Sequence, residues 1–169
     1  MININTYMED MESPFDNVKL IRIDDEVNMQ RISSKLSDMY NGYCIEIIYN
    51  DKRLNPLCIT TTEPWETYLC LIKNYLIAGY SEVHDLNHPI MFYFLKDEEN
   101  FLRLKIENSY DNTLEYEISL PEKEFLTIAF KSFLIYLDYM KIYNPEYCEH
   151  WKEQFNSYIC FIANKLNVE

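Results

Sequence analysis

The fold class is decided by residues 101–125, which read FLRLKIENSYDNTLEYEISLPEKEF. On both sides of a polar turn, apolar residues alternate with charged or polar ones, which is typical of two half-buried strands. Residues paired across an antiparallel ladder share a face, so this alternation requires a connecting loop of odd length, three or five residues. The sequence therefore predicts a β-hairpin over Phe101–Leu120. Its core-facing residues are predicted to be Leu104, Ile106, Tyr116 and Ile118.

The segments on either side of the hairpin extend it into a sheet and a helix. Ile90–Leu95 is apolar on both faces, which is typical of a strand inside a sheet. The polar residues 80–89 are interpreted as a loop. Pro121-Glu122 begins the longest helix, which runs to about Tyr143. Its few polar residues lie in a narrow arc, so we expect this helix to be central and covered on several sides.

The rest of the chain supplies shorter elements around this centre. The patterns predict strands at Val18–Ile23, Tyr43–Tyr49 and Leu57–Thr61, and helices from Asp24 or Asp25 to about Asn41, from Pro64 to Gly79, and after Asn144. Gly42 is expected to end the first helix in a left-handed conformation. The acidic residues 1–17 are interpreted as a loose lead-in without a clear period. The predicted fold is a single α+β domain over 18–169, an antiparallel sheet of about 4–6 strands packed against about 3–4 helices.

Composition and charge exclude several classes of function. The chain has 169 residues, of which 48% are hydrophobic, and a formal net charge of −13. Its length fits one domain, and its apolar content excludes intrinsic disorder. It contains two glycines, which excludes the glycine-rich loops that cradle phosphates. The negative charge argues against nucleic acid and anionic membranes as partners, because both would be repelled, and favours a basic protein.

The cysteines and the apolar segments indicate a reducing compartment. The chain contains five cysteines, an odd number without a C-x-x-C pair: Cys44, Cys58, Cys70, Cys148 and Cys160. Their apolar surroundings suit reduced, buried thiols. The first residues do not resemble a signal peptide, and the densest apolar stretch, residues 125–143, is interrupted by charges. We therefore expect a cytoplasmic protein.

Three residue patterns raise the question of catalysis or metal binding. His84 and His88 have the spacing of two zinc ligands on a helix, but a loop is predicted there, so both are interpreted as loop histidines. Cys58 is the least improbable nucleophile, yet no sharp glycine-flanked turn presents it. Glu115 and Glu117 lie on an outward face, where neither would have the raised pKa of an acid catalyst. We expect no catalytic residue, metal or organic cofactor.

Acidic clusters are the strongest candidates for a binding surface. Each cluster alone is interpreted first as a solvated face, but together they attract a basic partner at long range. The favoured surface is the hairpin with the turn before it, and its candidate partner-binding residues are Asp97, Glu98, Glu99, Asp111, Glu115 and Glu117. The reserve candidate is the helical cluster of Glu146, Glu149 and Glu153. The 15 tyrosines are numerous enough that some reach the surface, where Tyr beside carboxylates suits an interface.

The passage from the hairpin through Leu120-Pro121-Glu122 into a long helix resembles the immunity proteins of bacterial polymorphic-toxin systems, including contact-dependent inhibition. The similarity covers about a third of the chain and lies in architecture and composition, so no site residue is implied by it. Such proteins are small, acidic and cytosolic. The resemblance implies an α+β protein that neutralises a basic nuclease toxin by direct binding. The alternatives are a virus-encoded antagonist of a host protein and an enzyme whose site is not recognisable from sequence.

Overall fold

Strands and helices alternate along the chain. The computed structural model describes residues 1–10, 12–13, 17–36, 42–54, 64–85 and 88–168. The strands are β1 (Ile2–Glu9), β2 (Leu20–Arg22), β3 (Tyr43–Tyr49), β4 (Lys52–Arg53), β5 (Tyr80–His84), β6 (Ile90–Lys96), β7 (Phe101–Asn108) and β8 (Leu114–Pro121). The helices are α1 (Glu26–Ser33), α2 (Pro64–Ala78), α3 (Glu122–Tyr143) and α4 (Pro145–Leu166). The predicted α+β class is confirmed, with the described strands divided between two antiparallel sheets.

Sheet A has the strand order β2-β1-β3-β4, and the first strand of the chain lies inside it. The prediction of a loose lead-in over residues 1–17 was wrong for Ile2–Glu9. Its residues alternate between a buried face, which carries Ile2, Ile4, Thr6 and Met8, and a polar face. That alternation was concealed by asparagines, which are uncommon in strands, and by the acidic residues that follow. Pairing with β3 along almost its whole length holds β1 in the sheet.

Sheet B is a meander with the order β5-β6-β7-β8, and it contains the predicted hairpin. Leu104 pairs with Ile118 and Ile106 pairs with Tyr116, so residues of the same face oppose one another as predicted. Leu104 and Ile106 are buried, and Tyr116 and Ile118 are partly buried against the core. The connection comprises residues 109–113, the longer of the two expected lengths.

A β-bulge next to the turn of the hairpin changes the direction of one side chain. The register shifts between Ile106 and Glu107, so that Glu107 opposes Leu114. Leu114, which continues the apolar alternation in the sequence, therefore points outward and is 54% exposed. A bulge inserts one extra residue on one strand, and side chains beyond it change faces.

Four further predictions differ from the structure or fall outside it. Residues 80–84, predicted as a loop, form the edge strand β5, in which buried Ser81 alternates with exposed neighbours. The first helix is capped by Asp25 as predicted but ends at Ser33, where consecutive serines disfavour a helix. Gly42 is not left-handed; a Cβ at this position would overlap the carboxylate of Glu9. The predicted strand Leu57–Thr61 lies outside the described residues.

Helix α3 is central, as predicted, and joins the two sheets into one core. It contacts β1 of sheet A, β7 and β8 of sheet B, and the other three helices. Trp65 at the start of α2 is fully buried; its indole N–H donates to the Thr6 hydroxyl at 3.1 Å, and its backbone N–H donates to the Tyr43 hydroxyl at 3.1 Å. Tyr43 also stacks on Tyr136 of α3, with ring centroids 5.2 Å apart. Aromatic side chains therefore pack sheet A against α2 and α3.

Candidate functional site

The outward side of sheet B combines aromatic, apolar and charged side chains on adjacent strands. We call this surface the sheet B face and define it by the outward residues of β5 to β8: Tyr80, Glu82, His84, Met91, Tyr93, Leu95, Arg103, Lys105, Glu107, Leu114, Glu117 and Ser119. The ladder aligns them in rows, one of which runs from Glu82 through Tyr93 and Lys105 to Glu117. Residues paired across neighbouring strands share a face, so each row is continuous.

The centre of the sheet B face is a network around Tyr93. The Lys105 ammonium lies 5.2 Å from the centre of the Tyr93 ring and 2.5 Å from a carboxylate oxygen of Glu107. Burial, and then a hydrogen bond to Glu107, raises the pKa of the Tyr93 hydroxyl. The hydrogen bond from Lys105 lowers the pKa of Glu107, which therefore stays ionised. The network holds an aromatic ring and a carboxylate in fixed positions on a rigid sheet.

The tyrosine at the β5 edge has a similar arrangement. The Tyr80 hydroxyl donates a hydrogen bond to the Glu82 carboxylate, which raises the pKa of Tyr80 to about 12. Both side chains are exposed. A phenol that stays protonated beside a carboxylate offers a partner both apolar area and a hydrogen-bond acceptor.

At one end of the face, Arg103 contacts two of the residues that the sequence predicted to bind a partner. Its guanidinium lies 2.5 Å from an oxygen of Asp97 and 3.4 Å from an oxygen of Glu117. Asp97 also accepts a hydrogen bond from the hydroxyl of Ser119. The hydrogen bonds from Ser119 and then Arg103 hold the pKa of Asp97 below its ordinary value. Asp97 therefore fixes the β6–β7 turn, and its charge is already paired.

The structure does not bring the six predicted partner-binding residues together. Asp97, Glu98 and Glu99 lie at the β6–β7 turn, whereas Asp111 and Glu115 lie near the opposite end of β7. At about 3.4 Å per residue, those ends are about 24 Å apart. Asp111 caps its own turn by accepting hydrogen bonds from the backbone and hydroxyl of Thr113.

Of the six, the exposed Glu98, Glu99 and Glu115 have no ion pair among the described residues. The reserve cluster is likewise exposed, with Glu149 3.7 Å from Lys152 and with Glu146 and Glu153 on the same helix. These carboxylates contribute to the long-range field of the protein.

The described histidines and cysteines lie in different surroundings. His84 lies on β5, where its Nε2 is 3.0 Å from the Ser109 hydroxyl, while His88 Nδ1 is 3.5 Å from buried Asp85. In the part of the chain that the structure describes, no group of three His, Cys, Asp or Glu residues is arranged to hold a metal ion. Cys148 is buried, with its pKa raised by burial, whereas His150 is exposed. Cys58 lies outside the described residues.

Sequence reasoning missed the apolar half of the sheet B face. Tyr80 and Glu82 fell in the predicted loop, and Met91, Tyr93 and Leu95 were assigned to a strand without a distinction between its faces. The alternation from Tyr80 to His84 is the signal that could have revealed β5. The residues that lie beside Tyr93 are determined by the order and register of the strands. The sequence of a single strand does not contain this information.

No protein family, curated protein or solved structure matches this chain. Among the helices that the structure describes, none has the length and apolar character needed to span a membrane.

Proposed function

We propose that the protein is a non-catalytic, cytoplasmic binding domain that neutralises a basic partner protein, in the manner of an immunity protein acting on a nuclease-type toxin. The observation that supports this function is the sheet B face, where Tyr80, Tyr93, Met91 and Leu95 lie beside the carboxylates of Glu82, Glu107 and Glu117. Aromatic and apolar area at the centre with charge around it is the usual composition of a protein interface.

The charge of the chain supplies the specificity for a basic partner. The net charge of −13 attracts a cationic domain from a distance and repels nucleic acid, so the protein competes with the toxin's substrate for the same basic surface. The exposed Glu98, Glu99 and Glu115 at the two ends of the sheet extend this field beyond the face itself. Contact energy comes from the tyrosines, and association rate comes from the carboxylates.

Co-expression tests the function, with a secreted toxin domain sought in the genes that neighbour this one. The protein is expected to rescue growth and to co-purify with that domain. Association should slow steeply as salt rises from about 50 mM to about 500 mM, because exposed charges are screened beyond about 10 Å at 0.1 M salt. A wild-type protein that neither rescues growth nor co-purifies would contradict the proposal.

Two triple variants with the same change in net charge test the face. Glu82→Lys, Glu115→Lys and Glu117→Lys together reverse exposed charges on and beside the sheet B face. Glu146→Lys, Glu149→Lys and Glu153→Lys reverse three exposed charges on α4. The first variant is expected to slow association by about tenfold more than the second. Equal rates for the two would show that only net charge matters, and a slower α4 variant would move the interface to the reserve cluster.

A further inference from the structure

Over half of its length, one edge of β1 has no neighbour among the strands that the structure describes. Strand β2 has three residues and pairs only with Tyr7, Met8 and Glu9. The last backbone hydrogen bond on this side runs from the Ile23 N–H to the Thr6 carbonyl at 3.0 Å. Over residues 2–6, no described strand pairs with this edge of β1.

The backbone N–H and C=O groups of Ile4 point toward the open edge of β1. In an antiparallel ladder, both polar groups of a residue point to one neighbouring strand and those of the next residue to the other. Ile4 is opposite Ile47, whose carbonyl accepts a hydrogen bond of 2.8 Å from Leu54 on the far side of β3. The two residues therefore form a non-hydrogen-bonded pair, and the N–H and C=O of Ile4 face away from β3. The N–H of Ile2, on the same side, donates to the Glu124 carboxylate at 3.3 Å.

A groove of about 360 Å³ lies beside this edge. We call it the β1-edge groove; its walls are Asn3, Ile4, Asn5 and Thr6 of β1, Arg22, Ile23 and Asp24 at the end of β2, and Ser132, Ile135 and Tyr139 of α3. Ile135 is 54% exposed although it lies on the central helix. The groove therefore combines an unpaired strand edge with an exposed apolar wall.

We propose that the β1-edge groove binds an extended segment of a basic partner protein, which adds to β1 as a strand in line with β2. An extended backbone presents N–H and C=O groups at the spacing that the edge of β1 requires. The partner residue opposite Ile4 would point its side chain to the same side as Ile4, toward Ile135. On β2 the equivalent position opposite Met8 is occupied by buried Ile21, so an apolar side chain fits this row.

Charge selects a different protein over a second copy of this chain. A dimer through two β1 edges would bring together two chains of net charge −13, whose repulsion opposes association. The Arg22 guanidinium at the groove is already paired with Asp24, while Glu124 lies exposed at the Ile2 end. The groove belongs to sheet A, so this inference does not rest on the function proposed for the sheet B face.

The test uses a capped pentapeptide of sequence Lys-Ile-Arg-Ile-Lys, whose isoleucines would face α3 and whose backbone N–H groups at those isoleucines would face β1. Added at about 1 mM to the ¹⁵N-labelled protein, it is expected to shift the amide resonances of Ile4 and Thr6 more than those of sheet B. Absence of shifts at Ile4 under these conditions overturns the proposal.

Peptide methylation distinguishes strand addition from side-chain binding. N-methylation of the two isoleucines removes the N–H groups that would pair with β1 and should abolish the shifts. N-methylation of the central arginine removes an N–H that faces away and should leave the affinity within about threefold. Equal affinity of the two methylated peptides overturns the proposal.

Two matched variants locate the site on the protein. Ile135→Asn removes the apolar wall of the groove and should weaken peptide binding by about tenfold, a loss typical of one apolar contact. Ile142→Asn makes the same exchange on the same helix at a residue that is 69% exposed and outside the groove, and should have no effect. If both variants bind equally, or if the unliganded protein sediments as a dimer in which the Ile4 amide is protected from exchange, the proposal is wrong.

Discussion

The two sheets contain four strands each but differ in how completely those strands pair. In sheet B, strands of five to eight residues pair along almost their whole lengths, and the outward side carries charged and aromatic side chains in continuous rows. In sheet A, two long strands carry neighbours of three and two residues, and the outward side contains the nearly inaccessible Glu46. We propose the fully paired sheet as a face for a folded partner and the interrupted sheet as an edge for an extended one. The two proposals thus place different kinds of surface on one core.

The largest expected effect tests whether the two sheets are one cooperative unit. Phe94 in sheet B and Ile47 in sheet A are both fully buried. Phe94→Ala should cost about 3–5 kcal/mol and Ile47→Ala about 2–5 kcal/mol, because each leaves a cavity in the shared core. Urea unfolding followed by circular dichroism and by tryptophan fluorescence should give coincident curves for both variants. Two separate transitions would show that the sheets unfold independently.

A charge on the inner side of β8 should have the next largest effect. Ile118 is partly buried against the core, so Ile118→Asp should cost about 2–4 kcal/mol by desolvating a carboxylate. Glu117→Ala, at the outward neighbour, should change the free energy of unfolding by less than about 0.5 kcal/mol. A well-folded Ile118→Asp protein with the melting temperature of the wild type would contradict the hairpin's inward face.

The buried carboxylate of sheet A should make that sheet sensitive to acid. Burial alone would raise the pKa of Glu46, but hydrogen bonds from Asn5, Tyr7 and Arg53 outweigh it and hold that pKa below the ordinary value of 4.5. A lowered folded-state pKa means that the stabilisation is complete above the ordinary value and is lost as pH falls through the folded one.

Glu46→Gln should therefore be less stable than the wild type near pH 7, and the difference should shrink as pH falls below about 4.5. Urea midpoints across this range measure it. Glu115→Gln, at an exposed glutamate of sheet B, serves as the control and should show no such difference. A gap that stays constant with pH for Glu46→Gln would contradict the role of its charge.

The smallest expected effect concerns the bulge of sheet B. Leu114→Lys should change stability by less than about 0.5 kcal/mol, because the side chain points outward. Leu120→Lys, at a fully buried leucine of the same strand, should be strongly destabilising and serves as the contrast. A large loss of stability in Leu114→Lys would place that residue in the core and remove the register shift.

The hairpin could be predicted because polar and apolar residues alternate along β7 and β8, and this alternation identifies the inner side of each strand except at Leu114, beyond the bulge. Strand β1 was missed because Asn3 and Asn5 carry the polar side of the alternation and Thr6 interrupts the apolar side. The sheet B face depends on which strands are neighbours, as with Tyr93 and Lys105, and a single strand does not contain that information. The β1-edge groove exists because β2 stops at Arg22, and this length carries no local signal.

The position of β1 also sets the order of events during translation. The strand leaves the ribosome before its pairing partner β3, which is completed only at Tyr49, and the helix that packs on β1, α3, begins at Glu122. At about 5–20 residues per second, several seconds pass between these points. During that interval the apolar side of the nascent sheet, with Ile4 and Ile47, has no α3 to cover it. We expect the emerging chain to be a client of ribosome-associated chaperones until α3 is released.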